Sequence, residues 1–325
     1  MKNNNIYLFY FMVISLCFYS CRNEKVDHKD FAISNTEEVT KIIMSDKSGN
    51  KIEIDKGTTH WTINKQYKVW ERQIDYTLGV MKDIRVKSSV SEQKMNYVIK
   101  NIATSGVKVE IFNKDGKVKS YYLGGNTPDY KGTYMIMEGS ETAYILHIPD
   151  RNPGILNPKF GIEGTTVNEN VWRQPIVIDY SENTIQQLYV KDIKQNDQSF
   201  KLDFQNISLH DYKEQEIPFN KANLSYWNFA FNNLKCGAYK PNLKTSNFNL
   251  IKKIYITTNT NTDSLFIFDK TEVQSTKKEY NPTVEYKYAS YNNSELVIIQ
   301  SNIFNKVLIT LEEFLNISRE KTQSL

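Results

Sequence analysis

Alternation of apolar and polar residues with a period of two is the main pattern along this chain after residue 38. In VKVEIFNKDGKVKSYYL (107–123), Val107, Val109 and Ile111 alternate with charged residues, and Asp115-Gly116 forms a strong hairpin turn. Such alternation is typical of half-buried antiparallel strands. The same signals predict strands or hairpins at 39–57, 60–64, 132–137, 143–148, 185–192, 199–204, 251–270, 284–290 and 295–299.

Helical spacing interrupts this pattern between residues 66 and 104. One apolar face is formed by Trp70, Ile74, Leu78 and Met81, and a second by Met95, Val98, Ile99 and Ile102. Ser89 and Glu92 have the spacing of a capping box, and Gly106 follows where a helix should end. We therefore predict two helices in this segment.

The second half of the chain contains weaker helical signals. The spacing of Leu224, Trp227, Phe231 and Leu234 predicts a helix that ends at Gly237. A short helix is predicted from the apolar residues Ile303, Phe304, Val307 and Leu308, and a further helix should be capped by Thr310 and Glu313.

Hairpins combined with inserted helices predict the α+β class. The hairpins at 42–56 and 254–270 both end in Asp-Lys, and each half of the chain pairs hairpins with a helical insert. Residues 149–175 contain four of the eight prolines and predict an irregular connection. We expect two related, elongated α+β units at 39–175 and 176–325.

The amino-terminal residues have the features of a secretory signal. From Ile6 to Ser20 no residue is charged, and Ser20 directly precedes Cys21, a pattern that resembles the lipobox of bacterial lipoproteins. We predict a signal peptide at 1–20, lipidation of Cys21 with palmitate-type chains, and a flexible polar tether at 21–38. Cys17 is a rival site, and a plain membrane anchor is the alternative.

Composition limits the classes of partner. The chain has 325 residues and a net charge of +4, but only six of its 41 basic residues are arginines, and the basic residues are interleaved with acids. A nucleic-acid-binding protein would have a clustered basic face, so we predict no nucleic-acid partner. Cys236 would be the one cysteine left besides a lipidated Cys21, and we expect it to be a buried structural thiol.

No arrangement of residues in the sequence indicates catalysis or a cofactor. The four histidines lack zinc-site spacing, and no nucleophile elbow or phosphate-binding loop is present. Asn259, Asn261 and Asp263 have the spacing of the first calcium-loop ligands, but Lys270 occupies the twelfth position, so a polar hairpin turn is favoured. We therefore predict a protein that is not an enzyme and binds no metal or cofactor.

Residues 101–149 carry a specific set of motif positions. These are Gly106, Lys108, Val109, Glu110, Ile111, Gly116, Lys117, Tyr122, Gly124, Gly125, Thr127, Asp129, Gly132, Thr133, Tyr134 and Met135, followed by the pair Trp172-Arg173. The set resembles the bacterial lipoproteins of the domain of unknown function 4340 family. This resemblance extends over most of 39–315 and implies an envelope lipoprotein, without implying an activity or a ligand.

The leading hypothesis is a lipid-anchored, non-enzymatic binding or scaffold protein of the cell envelope, on the periplasmic face of the outer membrane. The alternative is a glycan- or peptidoglycan-binding lipoprotein that uses tyrosine-rich strands. A hydrolase with Asp129, His147 and Trp172 in one cleft is a third hypothesis. The candidate interaction surface consists of Tyr122, Gly124, Gly125, Asp129, Tyr134, Trp172 and Arg173.

Overall fold

The computed structural model describes residues 29–149, 154–227, 229–272 and 285–323. It contains both helices and strands, with antiparallel sheets predominating, as expected for the α+β class. The chain divides into two compact units after Glu169, six residues before the boundary predicted from the sequence. The predicted signal peptide, Cys17 and Cys21 lie outside the described residues.

The first unit contains a nine-stranded antiparallel sheet in the order β4-β3-β2-β1-β6-β7-β8-β9-β5. Its strands are β1 (Lys41–Ser45), β2 (Lys51–Lys56), β3 (Trp61–Ile63), β4 (Tyr67–Lys68), β5 (Arg85–Ser89), β6 (Val107–Asn113), β7 (Gly116–Asn126), β8 (Thr133–Met137) and β9 (Ala143–His147), with a separate pair β10 (Ile162–Glu163) and β11 (Thr166–Val167). Its helices are α1 (Glu71–Asp83), α2 (Glu92–Ser105) and the 3-10 helices Thr36–Glu38 and Asn157–Phe160.

Alternation along the strands gives the first sheet two different faces. Val107, Val109 and Ile111 of β6 are completely buried on one face, and Tyr121 and Leu123 of β7 lie on the same side. We call this the inner face, and the opposite side the outer face. The inner face provides most of the apolar burial that stabilises the unit.

The chain is packed well before the predicted start of the first unit. Phe31 is 1% exposed, and its ring contacts those of Tyr121 and Tyr144 at centroid distances of 5.9 and 6.1 Å. The Lys119 ammonium donates to the carbonyl oxygen of Asp30. Any flexible tether therefore ends before Phe31, and the predicted limit at residue 38 needs correction, because aromatic burial holds this segment.

The second unit contains an eight-stranded antiparallel sheet in the order β15-β14-β13-β18-β19-β20-β21-β17. Its strands are β12 (Ile176–Ile178), β13 (Ile185–Asp192), β14 (Phe200–Asp203), β15 (Ser208–Asp211), β16 (Leu234–Lys235), β17 (Ala238–Lys240), β18 (Phe248–Thr258), β19 (Thr262–Glu272), β20 (Tyr286–Tyr291) and β21 (Leu296–Gln300). The helices are α3 (Glu169–Trp172), which contains the division between the units, α4 (Leu311–Gln323), and the 3-10 helices Asn196–Gln198, Lys221–Trp227 and Thr245–Asn247.

Both sheets follow the same order along the chain. In each, the opening strand (β1 or β13) lies inside the sheet and the strands after it extend to one edge. A later four-stranded meander (β6–β9 or β18–β21) continues from the opening strand's other side. The strand of the sheet that precedes this meander along the chain (β5 or β17) pairs with the last strand of the meander and closes the far edge.

Most predicted hairpins are confirmed, whereas several helix predictions are wrong. Ser89 lies in β5, so it does not cap α2, whose first turn follows Ser91 without a side-chain cap. Between α1 and α2 the chain forms β5, which pairs with β9. Gly106 does end α2, but in an extended conformation with φ of −72°.

Of the three helices predicted in the second half, two are wrong and one is confirmed. The 3-10 helix Lys221–Trp227 replaces the predicted helix, and Leu234 lies in β16. Residues 301–308 form successive turns in place of a helix. The capping box before α4 is confirmed: the Thr310 N–H donates to Glu313 Oε2 at 2.8 Å, and the Glu313 N–H donates to Thr310 Oγ1 at 3.2 Å.

Candidate ligand-binding face

The tyrosines proposed for the interaction surface of the first unit lie under a helix. Tyr122 and Tyr134 are partly buried on the outer face, where they pack against a cluster that includes Val98 and Ile102 of α2. A Cβ added to Gly124 would lie 2.6 Å from Ile102 Cγ1, so this glycine allows the helix to pack closely on the sheet. These three residues stabilise the docking of α2 on its own sheet.

Gly125 and Asp129 are more accessible. A Cβ at Gly125 would meet no atom within 4 Å. Asp129 accepts hydrogen bonds from the Thr127 hydroxyl at 2.6 Å and the Lys131 N–H at 3.1 Å, and chiefly the first of these lowers the pKa of its carboxyl. The Asp129 carboxylate thus organises a turn, and no hydrogen bond joins it to His147 in the described part of the chain.

Trp172 and Arg173 are buried, at 0% and 7% exposure, respectively. The Arg173 guanidinium lies 3.6 Å from the centroid of the Tyr239 ring and forms an ion pair with Glu295. It also donates to Asn170 Oδ1 at 3.2 Å. Stacking and pairing of this kind compensate the desolvation of a buried arginine, so Arg173 connects segments within the second unit.

Cys236 is a buried free thiol, and burial raises its pKa to about 11. The predicted structural role is thus consistent with both its position and its chemistry, because a thiol that stays protonated at neutral pH is a poor nucleophile.

The segment with calcium-loop spacing forms the tight turn between β18 and β19. Asp263 accepts hydrogen bonds from the side-chain amides of Asn261 at 2.8 Å and Asn292 at 2.7 Å, and from the Tyr180 hydroxyl. These neutral donors occupy the carboxylate oxygens that a cation would need. The polar-turn interpretation is confirmed.

The tyrosine-rich segment YKYASY also serves packing. The Tyr288 ring lies 4.6 Å from that of Phe248, and the Tyr291 hydroxyl is 3.1 Å from the Tyr180 hydroxyl. Neither residue is among the exposed large hydrophobic residues of the described chain.

A different pair of tyrosines lies on the open face of the second sheet. In β13, Leu188 and Val190 are completely buried, so Tyr189 between them points to the opposite side. Tyr255 of β18 lies directly opposite Tyr189 in the antiparallel register, and the two rings stack at 5.9 Å with an interplanar angle of 13°. Direct cross-strand pairing therefore creates a stacked aromatic pair on this side of the sheet.

Polar residues continue this surface across the sheet. Lys201 of β14 pairs in register with Tyr189, and His210 of β15 pairs with Lys201. The result is one row, Tyr255–Tyr189–Lys201–His210, over four adjacent strands. A groove of about 610 Å³ lies along it, lined by Gln187, Tyr189, Lys201, His210, Asp211, Tyr212, Glu214, Tyr255 and Thr257. We call these nine residues the tyrosine face.

A hydrogen-bonded turn forms the rim of the tyrosine face. Asp211 Oδ1 accepts the N–H groups of Lys213 at 2.8 Å and Gln215 at 2.9 Å, and Glu214 has a left-handed φ of 62°. This turn holds Tyr212, which is 42% exposed, beside the strands. The face thus has a rigid floor of strands and a defined rim.

The sequence contains both tyrosines of this face, but it does not show which strands pair or in what register. Tyr189 and Tyr255 each alternate with buried aliphatic residues, as the hairpin patterns predict, but only the pairing of β13 with β18 brings them together. The candidate residues chosen from tyrosine-rich runs lie elsewhere, because several tyrosines in one run are distributed over both faces of a strand.

No protein-family model, curated protein or solved structure matches the chain. The resemblance to the domain of unknown function 4340 lipoproteins thus stays a prediction. In the described segments, no helix has the length and apolar character to cross a membrane, and no group of three or more acidic, histidine or cysteine residues is placed to hold a metal ion.

Proposed function

We propose that this chain is a lipid-anchored, non-enzymatic protein of the bacterial cell envelope that binds another envelope component through the tyrosine face. The observation that supports binding is the exposed ring of Tyr189, stacked on the partly buried Tyr255. In the described chain, neither phenolic hydroxyl makes an intrachain hydrogen bond. Aromatic rings with a free polar group are enriched at recognition surfaces, because one side chain supplies both contact area and hydrogen bonding.

The anchor is supported by the sequence alone. An uncharged stretch from Ile6 to Ser20 precedes Cys21, and acylation by two or more chains would hold the protein at a bilayer without a membrane-spanning helix. We place the protein on the periplasmic face of the outer membrane.

Metabolic labelling with palmitate tests the anchor. The wild-type protein and Cys236→Ala should incorporate label and fractionate with outer membranes, whereas Cys21→Ala should do neither. Label that persists in Cys21→Ala would contradict lipidation at this residue. Degradation by protease added to intact cells would contradict the periplasmic orientation.

Site-specific photo-crosslinking in cells tests binding at the tyrosine face. A benzophenone side chain at Tyr189 should give a discrete adduct with an envelope component. The same probe at Tyr97, a 69% exposed tyrosine on α2, should not give it. Equal adducts at both positions, or none at Tyr189, would argue against the face as the binding surface.

We further propose that the two units are related by duplication. The shared strand order of the two large sheets supports this, including the crossover that returns β5 and β17 to the far edge; the first sheet has one further strand, β4, at its other edge. An experimental structure in which β1–β6–β7–β8–β9–β5 and β13–β18–β19–β20–β21–β17 do not follow the same order would contradict it.

A further inference from the structure

We infer that the tyrosine face binds a neutral or N-acetylated polysaccharide chain, one of whose sugar rings lies on the exposed ring of Tyr189, which is stacked on Tyr255. This inference rests on the proposed function, since it names the ligand class for the same surface. The residues involved differ from the tyrosine-rich runs that first suggested a glycan.

The aromatic geometry suits the flat side of a sugar. One face of a pyranose ring presents C–H groups that carry partial positive charge, and the face of an aromatic ring is its negative pole. Tyr189 and Tyr255 stack on each other and Tyr255 also contacts Phe266 edge to face, so Tyr189 is the ring that offers a face to a sugar. Tyr189 is 38% exposed, which leaves its outer surface free for contact.

Polar side chains around the two tyrosine rings match sugar hydroxyl and acetamido groups. Lys201 supplies donors, and neither Lys201 nor His210 has a side-chain hydrogen bond within the described residues. The side-chain N–H group of Gln187 donates to Asp203 Oδ2 at 2.9 Å. This bond fixes the orientation of the Gln187 amide and leaves its side-chain oxygen able to accept a hydrogen bond. Because a sugar hydroxyl both donates and accepts, it needs this mixture of partners.

The lining of the groove argues against a lipid or an apolar helix. None of its nine residues is aliphatic, whereas a site for an apolar ligand is lined mostly by hydrophobic side chains. A peptide that adds a strand would need free backbone groups, but the strands that carry Tyr189 and Lys201 are paired on both edges.

The charges argue against a uniformly charged polymer. Lys201 and His210 lie beside Asp211 and Glu214, so the groove has no single sign of charge. A nucleic acid would stack on tyrosines, but it would also bring its phosphates to the two carboxylates on the rim. A neutral chain avoids this repulsion.

Affinity measurements with purified full-length protein test this inference. The probes are chitin oligosaccharides, β-1,4-glucan and α-1,4-glucan oligosaccharides, purified peptidoglycan glycan strands and a thymidine oligonucleotide. We expect binding to at least one glycan. The arms that bind distinguish a peptidoglycan strand from a neutral glucan.

Substitutions locate the binding. Tyr189→Ala should weaken glycan affinity by about tenfold, because the stacking surface is lost, and Tyr255→Ala should also weaken it, because the ring that supports Tyr189 is lost. Tyr189→Phe should retain most of the affinity and keeps the test valid if the alanine variants are unstable. Tyr97→Ala is the matched control and should bind like the wild type.

Three results would overturn the inference: no glycan in the panel binds, Tyr97→Ala loses as much affinity as Tyr189→Ala, or only the oligonucleotide binds. A crosslink at Tyr189 to an envelope protein, combined with no glycan binding, would overturn the polysaccharide ligand and leave the proposed function intact. Absence of both the Tyr189 crosslink and glycan binding would overturn the polysaccharide ligand and the proposed function.

Discussion

The outer face of the first large sheet and the open face of the second, which carries Tyr189 and Tyr255, differ at corresponding strands. In the first sheet, Lys108 of β6 pairs with Glu110 at 3.1 Å and Glu138 at 2.7 Å, and Lys117 of β7 pairs with the same two glutamates. In the second sheet, the corresponding strand β18 carries Tyr255, stacked on Tyr189 of β13. The charges of the first face are paired with one another, whereas the tyrosine face leaves hydrogen-bonding groups open.

Buried charge shows the reverse distribution. Among the described residues, Asp46 is the buried charged residue of the first unit, and its carboxylate accepts the N–H groups of Ser48, Asn50 and Val167. The second unit buries both Arg173 and Lys252, among others. The Lys252 ammonium donates to the carbonyl oxygens of Leu308 at 2.8 Å and Ile309 at 3.1 Å. Buried charged side chains thus connect segments within the second unit, whereas the paired lysines and glutamates of the first unit lie on its surface.

The largest effect that we expect from this difference is at Arg173. Arg173→Ala should destabilise the second unit by about 3–5 kcal/mol, because the largely buried Glu295 carboxylate loses its partner. Urea unfolding followed by tryptophan fluorescence measures this loss. Arg72→Ala, at an exposed position on α1, is the control and should change stability by less than about 0.5 kcal/mol.

A double variant separates the ion pair from general packing. If the pair is coupled, Arg173→Ala combined with Glu295→Ala should be less destabilised than the sum of the two single variants. Strict additivity would mean that Arg173 acts only through its stacking on Tyr239, and the contrast in buried charge would lose its support.

A smaller effect should appear where α2 covers the outer face of the first sheet. Gly124→Ala should cost about 1–3 kcal/mol, because the new Cβ would lie 2.6 Å from Ile102 Cγ1 and 3.1 Å from the Tyr134 carbonyl oxygen. The neighbouring Gly125→Ala is the control and should be nearly neutral. Chemical denaturation of both variants makes the comparison; equal stabilities would mean that the helix is not held this closely.

The smallest effect concerns the exposed ion pairs of the first face. Hydrogen bonds from Lys108 and Lys117 lower the pKa of Glu138 to about 2, from 4.5 in an unfolded chain. A lowered pKa favours the ionised carboxylate in the folded state. Its contribution is therefore complete above pH 4.5 and is lost as the pH falls towards 2. Because the side chain is 37% exposed, we expect less than about 1 kcal/mol.

Stability measured at pH 7 and pH 3 tests this contribution. Glu138→Gln should lose less stability on acidification than the wild type, whereas Glu141→Gln, at an exposed site without an ion pair in the described chain, should behave like the wild type. Identical acid sensitivity of all three proteins would show that these surface pairs contribute nothing measurable.

Local patterns in the sequence predicted the strands well because alternation and turn residues act over a few positions. The hairpin with Asp115-Gly116 needed no distant information. Helical spacing was less reliable: Trp227 and Phe231 stack at 5.9 Å and 14°, although residues 229–231 form a turn. A buried turn can produce the same apolar spacing as a helical face.

The candidate site could not be predicted because it depends on contacts between distant segments. Tyr122 lies on the outer face of the first sheet and Tyr189 on the open face of the second, and each is flanked in its strand by buried residues. The docking of α2 covers the first, and no described segment covers the second to the same degree. Which aromatic residues stay accessible is decided by what packs on the sheet.

The early packing of Phe31 sets a mechanical limit on an anchored form of this protein. Phe31 lies ten positions after Cys21, and a fully extended chain advances at most about 3.6 Å per residue, so this segment spans no more than about 36 Å. A lipid at Cys21 would thus confine the first unit to a shallow layer next to the bilayer. Ligands farther from that bilayer would have to diffuse to the protein.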